Sequence, residues 1–145
     1  MKTLIQRVSE ASVTVDNKVI SSIKHGLLIF LGIHHDDTNE HIDWLTSKII
    51  NLRIFEDQNG KMNLSLNDVG GEILLVSQFT LYANCDRGRR PDFIQSAKPE
   101  LANEMYQKFA KKLTSLGVET KLGIFGADMK VSLINDGPVT IMLEK

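Results

Sequence analysis

The chain has 145 residues, a length that fits one domain and lets folding bury roughly two thirds of the surface an unfolded chain exposes, so a core can form without staples. With 42% hydrophobic and 24% charged residues it is neither disordered nor fibrous, and a net charge of −1 means that a nucleic-acid partner must be met by a local basic patch. Cys85 is the only cysteine, which excludes an internal disulfide and a cysteine zinc site; with no long apolar run either, the expected compartment is the reducing cytoplasm, away from any membrane.

Leu4 and Val8, then Val13, Val15 and Val19, lie at even spacings among polar residues around Asp16-Asn17, with Ile20 beside them, which predicts an N-terminal hairpin. Arg7 lies among its apolar positions. Such an arginine either leans out to solvent or caps buried carbonyls with its planar fork, and the residues alone favour solvent. Leu27 to Ile33 follows Gly26 as a nearly continuous apolar run, the pattern of a strand covered on both faces.

His34-His35-Asp36-Asp37, with His25 and His41 nearby, invites a search for a metal site. Neighbours at a strand end point to opposite sides, so His34 and His35 are not expected to share an ion. The expectation is a polar loop and no metal. Asp37 or Thr38 can cap the next helix, where Ile42, Leu45, Ile49 and Leu52 form the apolar stripe and Trp44 packs on its flank.

Arg53 to Phe55, a turn at Asp57-Gln58-Asn59-Gly60 and Met62 to Leu64 predict a second hairpin, with Asn59 and Gly60 as the left-handed residues. Glu72 to Tyr82 reads as a further buried strand. It ends in Ser77-Gln78-Phe79-Thr80-Leu81, and hydroxyl and amide groups at the end of a buried strand mark a candidate site. Asn84 to Phe93 is a loop carrying Arg87, Arg89 and Arg90, the best basic patch in the chain, open to phosphate contact or to plain solvation. Pro99 starts a helix with Leu101, Met105, Phe109 and Leu113 on one face, stopped by Gly117.

Val118 to Phe125, Met129 to Ile134 and Val139 to Leu143 predict three more strands, the last two joined through Asn135-Asp136-Gly137-Pro138-Val139-Thr140. Asp136-Gly137 alone suggests a hairpin turn. Pro138 has no N–H and Gly137 leaves its carbonyl uncovered, so the same residues also fit a loop that presents main-chain oxygens. About eight strands with two main helices imply a single α+β (mixed α/β) domain over residues 1–145, its strands curled into a sheet or barrel.

For chemistry, Ser77, Thr80 and Cys85 are the nucleophile candidates, and every histidine lies far back between His25 and His41. No nucleophile elbow, glycine-rich phosphate loop or dinucleotide fingerprint occurs. What remains is two backbone-rich segments and a basic loop.

Ser-Gln-Phe-Thr-Leu at 77–81 together with Asn-Asp-Gly-Pro-Val-Thr at 135–140 resembles the paired signature motifs of the D-aminoacyl-tRNA deacylases, also called D-tyrosyl-tRNA deacylases. Gln6-Arg7-Val8, Gly88 to Phe93 and Phe125-Gly126-Ala127-Asp128-Met129 read like the family in the same order, so the resemblance covers the whole chain. Asp86 to Arg90 departs from it, since family members often carry lysines there.

The resemblance implies a barrel-like deacylase fold and a homodimer that hydrolyses the ester of D-aminoacyl-tRNA, and glycyl-tRNA as well, with neither cofactor nor metal. Its partner is the aminoacylated 3′ end of tRNA. In the family the glycine–proline bond is cis and its turn reaches into the active site of the other subunit. Carried over, Gly137 and Pro138 present carbonyls to the substrate amino group, supported by Arg7 and Asn135. Phe125, Ala127 and Met129 contact substrate, and Ser77, Gln78, Phe79 and Thr80 form the catalytic strand end. The N–H groups around Gln78 and Phe79 would hold the oxyanion, with water as nucleophile, assisted by the terminal 2′-hydroxyl of tRNA in preference to attack by Thr80. Two other readings stand beside this one: an RNA-binding module without chemistry, and a generic metallohydrolase.

Overall fold

Strand β1 (Lys2–Val15) runs through the middle of the computed structural model, which describes residues 1–145. It turns at Asp16 and Asn17, both left-handed (φ 48° and 61°), into β2 (Lys18–Ile23). Asp and Asn tolerate that region better than other side chains, which is why a two-residue hairpin forms here. On one edge β1 pairs antiparallel with β3 (Gly26–Gly32) through Lys2 to Val8 and with β2 through Ala11 to Val15; its other edge takes β8 (Lys130–Glu144).

Beyond β3 the sheet continues parallel into β6 (Glu72–Ser77) and then β7 (Thr120–Leu122), giving the order β2-β1-β3-β6-β7. The start of β3 lies unusually close to β6. A Cβ on Gly26 would fall 2.0 Å from the Glu72 carbonyl oxygen, so no larger residue fits there.

The continuous apolar run of β3 is explained by two separate cores. Leu27, Ile29 and Leu31, with Ile73 and Leu75 of β6, face α1 (Asn39–Asn51) and α3 (Pro99–Ser115). Leu28, Leu74 and Val76 point the other way and pack with Val8, Ala11, Val13 and Ile23, where the first two strands fold over. Alternate side chains of one strand therefore enter opposite layers, the arrangement expected of a sheet covered on both faces.

Curling brings β2 back toward β6 and β7. The Ser21 hydroxyl donates to the Leu122 carbonyl (2.9 Å), and Lys121 Nζ reaches both the Ser22 carbonyl (3.0 Å) and Glu72 (2.6 Å). The result is an α+β fold with a nearly closed, barrel-like sheet. Glu72 is held below the usual carboxylate range, first by the Lys121 hydrogen bond and then by the Lys24 N–H. A carboxylate depressed on folding stabilises the native state above its unfolded pKa and loses that contribution as pH falls through the folded value. Lys121→Met should therefore lower the melting temperature at pH 7 and by less at pH 3; equal losses at both would show that the seam does not depend on Glu72 being ionised.

Several expectations need correction. The strand from Glu72 stops at Ser77, and Phe79–Tyr82 forms a 3-10 turn. The segments 129–134 and 139–143 are not two strands across a turn but parts of one 15-residue strand, β8. In the small hairpin β4 (Phe55–Glu56) and β5 (Met62–Leu64), only Gly60 is left-handed, not Asn59. Trp44 is 40% exposed, with the ammonium groups of Lys48 and Lys145 over its ring. A short helix, α2 (Leu66–Val69), adds an unforeseen element, capped reciprocally by Ser65 and Asp68.

Candidate active site

The polar end of β6 opens a cavity of about 580 Å³. Ser77 still pairs with Leu31 of β3, and the Gln78 N–H donates to the Leu31 carbonyl at 2.8 Å. After that the chain tightens into the 3-10 turn. The Phe79 and Thr80 N–H groups are the first of that turn, so no preceding carbonyl reaches them, and neither donates elsewhere in the chain. The Gln78 N–H is thus engaged by the sheet, so of the N–H groups expected around Gln78 and Phe79 as oxyanion donors, that of Gln78 is already paired. Phe79 and Thr80 carry the free donors.

Ser77, Gln78 and Phe79 form one wall of the cavity, Phe125, Ala127 and Met129 another, and Ala102 of α3 lies opposite. These six expected residues meet, from two segments far apart in sequence. Behind Phe125, at 5.9 Å between ring centres, stands Tyr106, whose hydroxyl donates to the Leu75 carbonyl at 2.8 Å. Burial pushes that phenol well above its ordinary pKa, so it stays a donor. Phe79 is 55% exposed and meets Phe93 edge-on at 4.9 Å, making an aromatic rim. Thr80 does not line the cavity; its hydroxyl takes a hydrogen bond from the Gln78 side-chain amide. Phe93, Ser96 and Ala97 were missed as lining residues, and the aromatic at the end of the basic loop was the signal for them.

Gly137 and Pro138 lie elsewhere. Gln6 pairs with Thr140 and Val8 with Asn135, so two steps along β1 face five along β8, and Asp136 to Val139 bulge out of the ladder. The Gly137-Pro138 bond is cis, both residues are exposed, and β1 claims neither carbonyl. Asn135 braces the bulge from inside. Its side-chain oxygen accepts from the Val139 N–H and its amide donates to the Thr140 hydroxyl, both at 2.9 Å.

Arg7 is the second brace, and the solvent reading of it is overturned: it is only 3% exposed. Nε donates to the Asp136 carbonyl (3.0 Å) and Nη1 to the Ile54 carbonyl (2.7 Å), with Asp136 and Glu56 carboxylates at 3.3 and 3.6 Å. A bulge removes carbonyls from the ladder, and a planar fork can satisfy two of them in different directions at once.

Arg7 pairs with Leu27 and Ser77 with Leu31. Four residues of strand separate these points, about 13 Å at 3.3 Å per residue. The bulge and the cavity therefore occupy different ends of the barrel, and one chain does not bring them together.

The histidine corner also differs from expectation. His34 sits in an isolated bridge to Ser96 and the chain turns at once, so strand alternation does not apply; the rings of His34 and His35 lie 4.0 Å apart. With Asp36 they offer ligand atoms within 4.8 Å of one another, outside the cavity lining. Thr38 caps α1 while His41 Nδ1 accepts from the Thr38 N–H; Asp37 instead binds the Met1 amino group at 2.6 Å.

Residues 4–144 match the family described as D-Tyr-tRNA(Tyr) deacylase. The chain belongs to that family. It is 59% identical, over 99% of its length and 97% of the relative's, to a D-aminoacyl-tRNA deacylase of Flavobacterium psychrophilum. A D-aminoacyl-tRNA deacylase of Geotalea daltonii is also 59% identical, with 99% and 96% of the two chains covered. Among solved structures, the c-Myc DNA Unwinding Element Binding Protein superposes with a TM-score of 0.94 at 44% identity, covering 100% of this chain and 99% of the other. A probable eukaryotic D-amino acid tRNA deacylase shares the fold at 18% identity, with a TM-score of 0.86 over 98% and 97% of the chains. As a member of the deacylase family the chain is an enzyme, which sets aside the reading as a binding module without chemistry. No helix is long and apolar enough to cross a membrane.

Proposed function

We propose that the chain hydrolyses the ester linking a D-amino acid to the terminal ribose of tRNA, and that of glycyl-tRNA, in the cytoplasm as a proofreading step of translation. The observation that carries this reading is the strand end at Ser77, where a largely apolar cavity meets the two unclaimed N–H groups of Phe79 and Thr80. Such donors suit the oxyanion of an ester under attack, and losing one typically costs about 10² to 10³ in rate in other hydrolases.

Water is the nucleophile, activated with help from the 2′-hydroxyl of the terminal ribose. Thr80 is disfavoured because its hydroxyl is turned toward the Gln78 amide, a donor and not a base. Ser77, Gln78 and Phe79 shape the reacting end, and Phe125, Ala127 and Met129 contact the substrate from the facing wall.

The active unit is a homodimer in which the Gly137-Pro138 bulge of one subunit covers the cavity of its partner. Two features support this: the separation of bulge and cavity within one chain, and the free outer edge of β8, along which Ile134 and Met142 are 54% and 52% exposed. A long unpaired edge is a natural site for a second copy. With the substrate ammonium held by the Gly137 and Pro138 carbonyls and its ester by N–H groups, one direction at Cα is walled off by backbone. A hydrogen fits there and an L side chain does not, so D-aminoacyl and glycyl esters pass whatever their side chain.

Incubation with D-tyrosyl-tRNA and L-tyrosyl-tRNA tests the reading. Release of the D amino acid alone is expected, and it should survive exhaustive chelation. Retention of both esters, or equal release of both, would refute it.

A further inference from the structure

The loop Asn84 to Phe93 stands at the rim of the cavity. Asn84 and Asp92 exchange backbone hydrogen bonds of 2.9 and 3.0 Å, which pinch its base, and the next residue, Phe93, lines the cavity and touches Phe79. The loop is therefore anchored beside the reacting end. Its tip carries Arg87, Arg89 and Arg90, all exposed.

These three arginines differ from the others in the chain. Arg7 is buried on two carbonyls, and Arg53 donates to the Asn63 carbonyl at 2.8 Å. Arg87, Arg89 and Arg90 make neither hydrogen bond nor ion pair within the chain, although Asp86 and Asp92 share their loop. Asp86 hydrogen-bonds through its N–H to Asn84, and Asp92 accepts from the Ile94 N–H. Three guanidinium groups against two carboxylates leave the loop at +1 in a chain whose net charge is −1.

We propose that Arg87, Arg89 and Arg90 hold the backbone phosphates of the unpaired 3′ end of tRNA, on the nucleotides just before the one that carries the amino acid. This rests on the substrate proposed above. Arg90 lies three residues from Phe93, within about 10 Å even for extended chain, so a strand whose terminal ester enters the cavity passes under the loop. The planar fork of arginine matches phosphate bidentately, and a basic track beside exposed aromatic rings is how single strands are held without reading their sequence. The duplex part of tRNA lies farther from the cavity, beyond those nucleotides.

The triple variant Arg87→Gln, Arg89→Gln, Arg90→Gln tests this. Uncharged tRNA should bind at least tenfold more weakly at low salt, and the slope of log affinity against log salt should shrink by about 2, at roughly 0.7 per single-strand phosphate contact. For D-tyrosyl-tRNA, KM should rise with kcat little changed. D-tyrosyl-adenosine, which lacks those phosphates, should be cleaved by the variant as by the parent. An unchanged salt slope, or the same loss of affinity with tRNA trimmed of its unpaired 3′ nucleotides, would overturn the proposal. Failure of the parent itself to release D-tyrosine from D-tyrosyl-tRNA would count against the proposed reaction, while the binding measurement still decides the role of the arginines.

Discussion

Arg7→Ala should cost about 3 kcal/mol of stability and at least about a hundredfold in deacylation. The substitution strands the Ile54 carbonyl in a buried position, releases the Asp136 carbonyl and leaves a void where the guanidinium was. A buried acceptor left without a partner costs about 1–3 kcal/mol, and the void adds to it. For a chain of this size the melting temperature should fall by roughly 6–12 °C. In the proposed reaction activity should fall for a different reason: the bulge loses the tether that fixes where its carbonyls point, and misplacement by about 1 Å can cost about a hundredfold. Arg7→Lys should restore only part of either loss, because an ammonium cannot donate along two fixed directions as a fork does. Thermal melts and deacylation of D-tyrosyl-tRNA measure both; normal kinetics in Arg7→Ala would remove Arg7 from the support of the gate.

Gly137→Ala should separate stability from selection. Gly137 has φ +126°, a region costing a residue with a side chain about 1–3 kcal/mol. The added Cβ would also stand 2.9 Å from Val139 Cγ2 and 3.0 Å from Arg7 Nη2. The Val139 side chain or the bulge around it must give way, while the cavity, which the bulge does not line, keeps its walls. The expected result is a folded protein, a few degrees less stable, whose turnover of D-tyrosyl-tRNA drops about a hundredfold or more and whose preference for D over L esters collapses. A D-to-L ratio equal to that of the parent would mean that the bulge does not face the substrate α-carbon.

Much of the fold is legible in the residues because local pattern and burial agree. The Asp16-Asn17 turn, the stripes of α1 and α3 and the unbroken run of β3 each follow from one short segment. Legibility fails where a distant partner decides the outcome. Asn135 to Thr140 has the composition of a hairpin turn, yet β1 passes along both of its sides and holds the two halves in one strand. Arg7 reads as a solvent-facing residue until Ile54 and Asp136, 47 and 129 residues away, turn their carbonyls to it. The site shows the same limit. The Ser77 to Thr80 strand end is visible as polar groups after a buried run, but the engagement of the Gln78 N–H by Leu31 is set by strand register, which no local pattern contains.

The pairing of β1 with β8 also fixes when a growing chain can become an enzyme. During synthesis β2 and β3 can dock on one edge of β1 early, and β6 on β3 somewhat later. The other edge of β1 stays bare until its partner, Lys130 to Glu144, has emerged from the ribosome. Arg7 likewise waits for Asp136. A nascent chain therefore presents an open strand edge while β2 to β7 are being made, a liability for misassociation, and acquires the bulge only once β8 pairs.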